Sequence, residues 1–159
     1  MEEVELISEV GADYTTLRDL LAAGKWREAD NATDSIMQQI GCKESRWVPD
    51  SLLDSELAEF PLQDLRTIDR LWVHYSGGRF GFSVQMKIYT EVGKDQSKFM
   101  QRVGWAGEYW AMNWGLGLNA PLGCLPRAAL REEFGSRNTS WEDSPGRFFR
   151  IVGDRLTEE

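Results

Sequence analysis

Residues 60–89, FPLQDLRTIDRLWVHYSGGRFGFSVQMKIY, constrain the fold more than any other part of this chain. The segment holds seven rings when its histidine is counted: Phe60, Trp72, His74, Tyr75, Phe80, Phe82 and Tyr89, with Met86 as a soft neighbour. A large aromatic buries about 150–250 Å², so this stretch offers more flat apolar surface than one layer of a small core uses. It holds no nucleophile–base pair and no cluster of metal ligands. Its chemistry suits recognition of something flat and greasy rather than bond making.

Leu62, Leu65, Ile68, Trp72 and Tyr75 recur at helical spacing. Pro61 suits the first position of such a helix, and Gly77-Gly78 closes it. Asp64, Arg66, Asp69 and Arg70 stand off that stripe, opposite it. Further on, Phe80, Phe82, Val84, Met86 and Ile88 alternate at period two, the pattern of a half-buried strand. No second alternating run exists to pair with it, and a lone strand leaves its backbone unsatisfied. A helix capped by Ser83, with Val84, Ile88 and Val92 on one stripe, is therefore the expected form.

Before this segment the chain reads as an acidic lead-in (1–12) and a helical hairpin. Asp13 is the expected N-cap of Tyr14–Ala23, and Gly24 the stop; Trp26–Ile40 follows, ended by Gly41. The hairpin resembles one tetratricopeptide unit, but nothing recurs at a period of about 34 residues. Residues 41–60 read as a polar connection. Between Gly93 and Gly123 glycines alternate with Trp105, Tyr109, Trp110 and Trp114, which predicts a loop whose aromatics need a use. A short helix is expected over Leu125–Phe134, and Gly146–Leu156 carries Phe148, Phe149, Ile151 and Val152. The domain plan is thus a lead-in (1–12), a helical domain (13–135) and a C-terminal extension (136–159).

Net charge is −8, concentrated at the front: residues 1–60 carry 14 acids against 5 bases, and the remainder 12 against 13. The basic footprint of a nucleic-acid binder is absent, although local arginines in the second part suit an anionic small ligand. Cys42 and Cys124 lack the spacing of a zinc site or disulfide framework, and no structural metal is expected. No apolar run approaches the roughly 18–20 residues that span a bilayer. The start MEEVELISEV has the pattern of neither a signal nor a transit peptide. The expectation is a soluble, cytoplasmic protein, with peripheral membrane association not indicated.

The sequence offers little for catalytic chemistry. His74 stands alone without a local relay partner. Asp64 and Asp69, five apart on one helix, point to different faces and make no paired-carboxylate site. Gly115 and Gly117 form a bare GxG without a preceding strand. The expected answer is a binding protein, not an enzyme.

Three segments together resemble a known family: YTTLRDLLAAGKWREADNAT, the run DLRTIDRLW followed by GRFGFSVQ, and NAPLGCLP. In order and with similar gaps over about residues 13–131, they look like the genomes-uncoupled-four domain, the porphyrin-binding regulators of magnesium chelatase in oxygenic phototrophs. The resemblance implies an all-α, cupped-hand domain with a mobile Gly/Trp-rich cover loop. It implies binding of protoporphyrin IX or Mg-protoporphyrin IX, stimulation of the chelatase through its large subunit, and a cyanobacterial-type, soluble protein of chlorophyll biosynthesis. Carried over by position, Phe80, Phe82, Val84 and Ile88 line the palm, with Leu125 from the NAPLGCLP segment. Trp110 and Trp114 belong to the cover loop, and Arg131, with Arg127 as a second candidate, meets a propionate.

The chain departs from the family pattern where relatives read GHLP and it has Gly123-Cys124-Leu125-Pro126. The stretch after Pro126 is one residue short and lacks the usual asparagine, and the cover loop is unusually glycine-rich at Gly115 and Gly117. Two alternatives stay open: a divergent paralogue holding a linear bilin, with Cys124 placed for a thioether, and a ligand-free helical interaction domain.

Overall fold

The computed structural model describes residues 4–41, 54–104, 120–126 and 144–157, and among them every regular element is a helix. In chain order these are α1 (Thr15–Ala22), α2 (Trp26–Gly41), α3 (Asp54–Ala58), α4 (Leu62–Tyr75), α5 (Phe82–Glu91), α6 (Gln96–Val103) and α7 (Ser144–Thr157). The expected helical hairpin is α1–α2. The alternating run Phe80–Ile88 is helical from Phe82 onward, as the missing strand partner requires.

Helix α4 is the central element and packs against α1, α5 and α7. Its apolar stripe is fully buried at Leu65, Ile68, Leu71 and Trp72. Trp72 also reaches α2, donating its indole N–H to the Thr33 hydroxyl (2.9 Å), which in turn donates to the Ala29 carbonyl (2.9 Å). A buried tryptophan needs such a partner. Around it Phe80 stands edge-on to Trp26 and Trp72, with centroids 5.5 and 6.4 Å away. A second aromatic cluster joins α5, α6 and α7 through Tyr89, Phe99 and Phe149. The C-terminal extension therefore places Phe148, Phe149 and Val152 in the same core as the helices before it.

Several boundaries and two elements differ from the sequence expectations. Residues 41–60, read as a polar connection, contain the short helix α3, whose Leu57 is buried with Phe60 in the core. Tyr14, not Asp13, is the N-cap of α1; Asp13 sits one residue earlier, where its Oδ1 accepts from the Thr15 N–H and hydroxyl. Pro61 is the N-cap of α4 rather than its first residue. Ser83 is inside α5, whose N-cap is Gly81. The glycine-rich stretch opens with a helix, α6, because Gly93 and Gly104 bracket it instead of interrupting it. Asp95 caps that helix by accepting from the Lys98 N–H (3.1 Å), and Gly104 ends it in the left-handed conformation. Leu125 and Pro126 are irregular, and the rest of the helix expected over Leu125–Phe134 lies outside the described residues.

The polar face of α4 is also occupied. Asp64 is fully buried and accepts from the Ser8 hydroxyl (2.6 Å), the Glu9 N–H (2.9 Å) and the Tyr14 hydroxyl (2.7 Å). Thr67 donates to the Ile7 carbonyl at 2.6 Å. The lead-in over residues 7–9 is thus fastened along α4. Burial, and then the hydrogen bond to Asp64, push the Tyr14 phenol up, so it stays protonated and serves as a donor.

A hydrogen bond to a carboxylate contributes roughly 1.5–3 kcal/mol. Tyr14→Phe should therefore lower the melting temperature by roughly 3–12 °C in a chain of this size, read by thermal circular dichroism. An unchanged melting point would show that the Tyr14 hydroxyl adds nothing to the stability of the arrangement at Asp64.

Candidate functional site

The segment GRFGFS builds the start of α5 through contact with α4. Gly81 has a φ of 131°, and a Cβ there would lie 2.7 Å from Val73 Cγ2 and 2.8 Å from Asp69 Oδ1. Only glycine allows α4 and α5 to approach this closely. No side chain of the cap residue closes α5, so Asp69 of α4 supplies the missing acceptor. Its Oδ1 receives the Ser83 N–H (2.9 Å) and hydroxyl (3.1 Å). Burial pushes the Asp69 carboxyl above its ordinary value, against the hydrogen bonds from Ser83 and Phe82 and the charge of Arg70.

With α5 fixed, its faces meet different partners. Phe82 is buried against Phe148, with centroids 5.4 Å apart. Gln85 and Ile88, on the neighbouring stripe, lie under residues 120–126, which form an irregular strap. Gly123, at φ 79°, is pressed so closely on this stripe that a Cβ would come within 2.7 Å of Ile88 Cδ1. Val84 is half-buried.

Five hydrogen bonds fasten the strap to residues 79–85. The Gly81 N–H donates to the Leu125 carbonyl (3.0 Å), and the Gly123 N–H to the Arg79 carbonyl (2.8 Å). Arg79 Nη2 donates to the Ala120 carbonyl (2.7 Å). Gln85 Nε2 donates to the carbonyls of Gly123 (3.0 Å) and Pro126 (2.6 Å). Gln85 is fully buried, yet its Oε1 meets no donor among the described residues, and neither does Arg79 Nε meet an acceptor. An orphaned buried polar atom costs about 1–3 kcal/mol, so this junction retains polar groups at some expense.

Phe80, Phe82, Ile88 and Leu125 are thus all buried, and they do not share one open wall. Phe80 belongs to the Trp26–Trp72 cluster, Phe82 to the α7 cluster, and Ile88 and Leu125 to the strap junction. Trp110, Trp114, Arg127 and Arg131 lie outside the described residues; in sequence they flank the strap on its two sides. The structure adds Gln85, Arg79 and Leu122 to the residues of interest. Leu122 is 43% exposed, the large apolar side chain that the strap shows to solvent. Cys124 belongs to the strap and is buried at 3% exposure, so a thioether at its sulfur would require the strap to open.

Elsewhere the surface offers an open cleft of about 790 Å³, walled by Glu5, Asp69, Arg70, His74 and Ser83 among others. His74, at the C-terminal end of α4, is exposed and stands edge-on to Tyr75 at 4.8 Å. No group of three or more potential metal ligands occurs among the described residues. No helix among them is long and apolar enough to cross a membrane.

Comparison with known proteins bears on this arrangement. The profile of the family described as GUN4-like matches residues 7–140. The Ycf53-like protein of Synechocystis is 35% identical over 129 residues, covering 76% of this chain and 53% of that protein. The chloroplastic tetrapyrrole-binding protein of Arabidopsis thaliana is 33% identical over 131 residues, covering 74% of this chain and 49% of that one. This chain therefore spans about half the length of these relatives. The solved structure of GUN4 from Chlamydomonas reinhardtii superposes with a TM-score of 0.74 at 28% identity, covering 97% of this chain and 96% of that one. Ligand-free GUN4 of Arabidopsis thaliana gives 0.62 at 28% identity, covering 86% and 95%.

The α4–α5 junction makes a pH-dependent prediction. With its folded-state value raised, Asp69 contributes stability that is present below the unfolded carboxylate value, about 3.9, and lost as pH rises through the folded one. Asp69→Asn keeps the acceptor for Ser83 and removes the charge, so its stability relative to the wild type should be highest at neutral pH and shrink on acidification. Urea titrations at pH 7 and pH 4.5 measure this; a relative gain for the variant at the lower pH would contradict it. Asp69→Ala, which loses the cap altogether, should cost about 0.5–2 kcal/mol.

Proposed function

The chain belongs to the GUN4-like family, and from that premise we propose that it is a non-catalytic tetrapyrrole-binding protein. Its ligand is protoporphyrin IX or Mg-protoporphyrin IX. Through the large subunit of magnesium chelatase it stimulates insertion of magnesium on the way to chlorophyll. The observation that carries this reading is the match to the chloroplastic tetrapyrrole-binding protein of Arabidopsis thaliana, 33% identical over 131 residues.

The local chemistry supports it. A macrocycle requires broad apolar contact and cationic partners for its carboxylates. In sequence, the strap carries Leu122 and Leu125 between the stretch holding Trp110 and Trp114 and the stretch holding Arg127 and Arg131. Arginine suits a propionate because its planar fork makes two parallel hydrogen bonds. In this reading the buried Phe80 and Phe82 form the scaffold behind the site, and Val84, Leu122 and the flanking tryptophans meet the ring. Burial of Cys124 weighs against a covalently attached bilin.

Titration with protoporphyrin IX should quench tryptophan fluorescence and shift the Soret band of the pigment. No change at micromolar ligand would refute tetrapyrrole binding. Arg131→Ala should weaken binding by about tenfold, the equivalent of one charge-assisted hydrogen bond, with the far-ultraviolet circular dichroism unchanged. An unaltered dissociation constant would remove this arginine from the site.

A further inference from the structure

Gln85 sits on α5 three residues from both Phe82 and Ile88, fully buried beneath the strap. The two groups it contacts there, the carbonyls of Gly123 and Pro126, are acceptors only. The carboxamide must therefore turn its NH₂ end toward them, and both of its hydrogens are used. Its oxygen is left facing the other way without a donor among the described residues. A residue that served packing alone would be better replaced by methionine or leucine, which fill similar space and carry no polar atom of their own to strand. What the amide adds is a fixed position for two points of the strap.

The second point matters most. Pro126 contributes its carbonyl to the peptide unit whose nitrogen belongs to Arg127, and the atoms of a peptide unit lie in one plane. Holding that oxygen at 2.6 Å restricts the direction in which the chain leaves the strap. The Gly81–Leu125 and Arg79–Gly123 backbone bonds hold the middle of the strap, but neither reaches its last carbonyl.

We infer that Gln85 is a positioning residue for the tetrapyrrole site: by holding the Gly123 and Pro126 carbonyls it sets the exit of the strap and, through it, recognition of the ligand's carboxylates. This rests on the tetrapyrrole reading above. Gln85 does not touch the ligand in this account. It acts through the strap, and its loss falls on the carboxylate-bearing side of the ligand rather than on the ring.

The test uses the whole 159-residue chain and two probes, deuteroporphyrin IX and its dimethyl ester, in the same mild detergent. Wild type should bind the diacid more tightly than the diester. Gln85→Met should weaken the diacid by about tenfold, the loss of one hydrogen bond's worth of positioning, and leave the diester within about twofold, so that the preference collapses. Gln85→Glu, which keeps the shape but turns a carboxylate on the two carbonyls, should lose the preference in the same way; it stands in if the methionine variant folds poorly. Equal weakening of both probes would show a role in folding only and overturn the inference, as would an unchanged preference. Wild type that binds neither probe would overturn the tetrapyrrole reading itself, whereas wild type that binds normally with a preference unaffected by substitution sinks this inference alone.

Discussion

The close approach of α4 and α5 at Gly81 is the constraint on which the rest of the molecule depends. Removing one Cβ lets Asp69 reach across and complete the first turn of a helix that has no cap of its own. Once α5 is seated, three consequences follow from its periodicity. Phe82 and Tyr89 face α7, Gln85 and Ile88 face the strap, and Phe80, just ahead of the helix, closes the aromatic cluster around Trp72. The desolvated Asp69 carboxyl is the cost of this junction, and the hydrogen bonds from Ser83 offset part of it.

Most of the helical plan was legible in the sequence because hydrophobic period and glycine stops agreed. The α1–α2 hairpin and α4 are read from their stripes almost to the residue. Helix α5 is harder, since a period-two run suggests a strand, and it is the absence of a pairing partner that decides. Helix α6 was hidden by composition: glycine counts over a window conceal that Gly93 and Gly104 stand at its boundaries. The Asp95 cap and the spacing of Phe99, Met100 and Val103 were the available signal.

Side-chain roles were less legible than helices. A palm lined by Phe80 and Phe82 is what motif position implies, but a motif records that a residue is needed and not whether it faces a ligand or the core. Both phenylalanines are core residues, at 0% exposure. Gln85 looked like part of a recognition string, and its importance emerges only with the carbonyls of Gly123 and Pro126, about forty positions away in sequence and invisible to any local pattern. The same holds for Asp64, which reads as a surface charge on an amphipathic helix until its donors from residues 8, 9 and 14 are in view.

The fastening of the lead-in also determines where anything spliced ahead of it would emerge. Ile7 and Ser8 are clipped to α4, and Val4 and Glu5 run on beside Arg70 and His74. An affinity tag or reporter fused upstream would thus come off the domain at that corner, beside the cleft. Its linker chemistry would meet the cleft there before it met bulk water, so the design of such fusions is not neutral to the surface being probed.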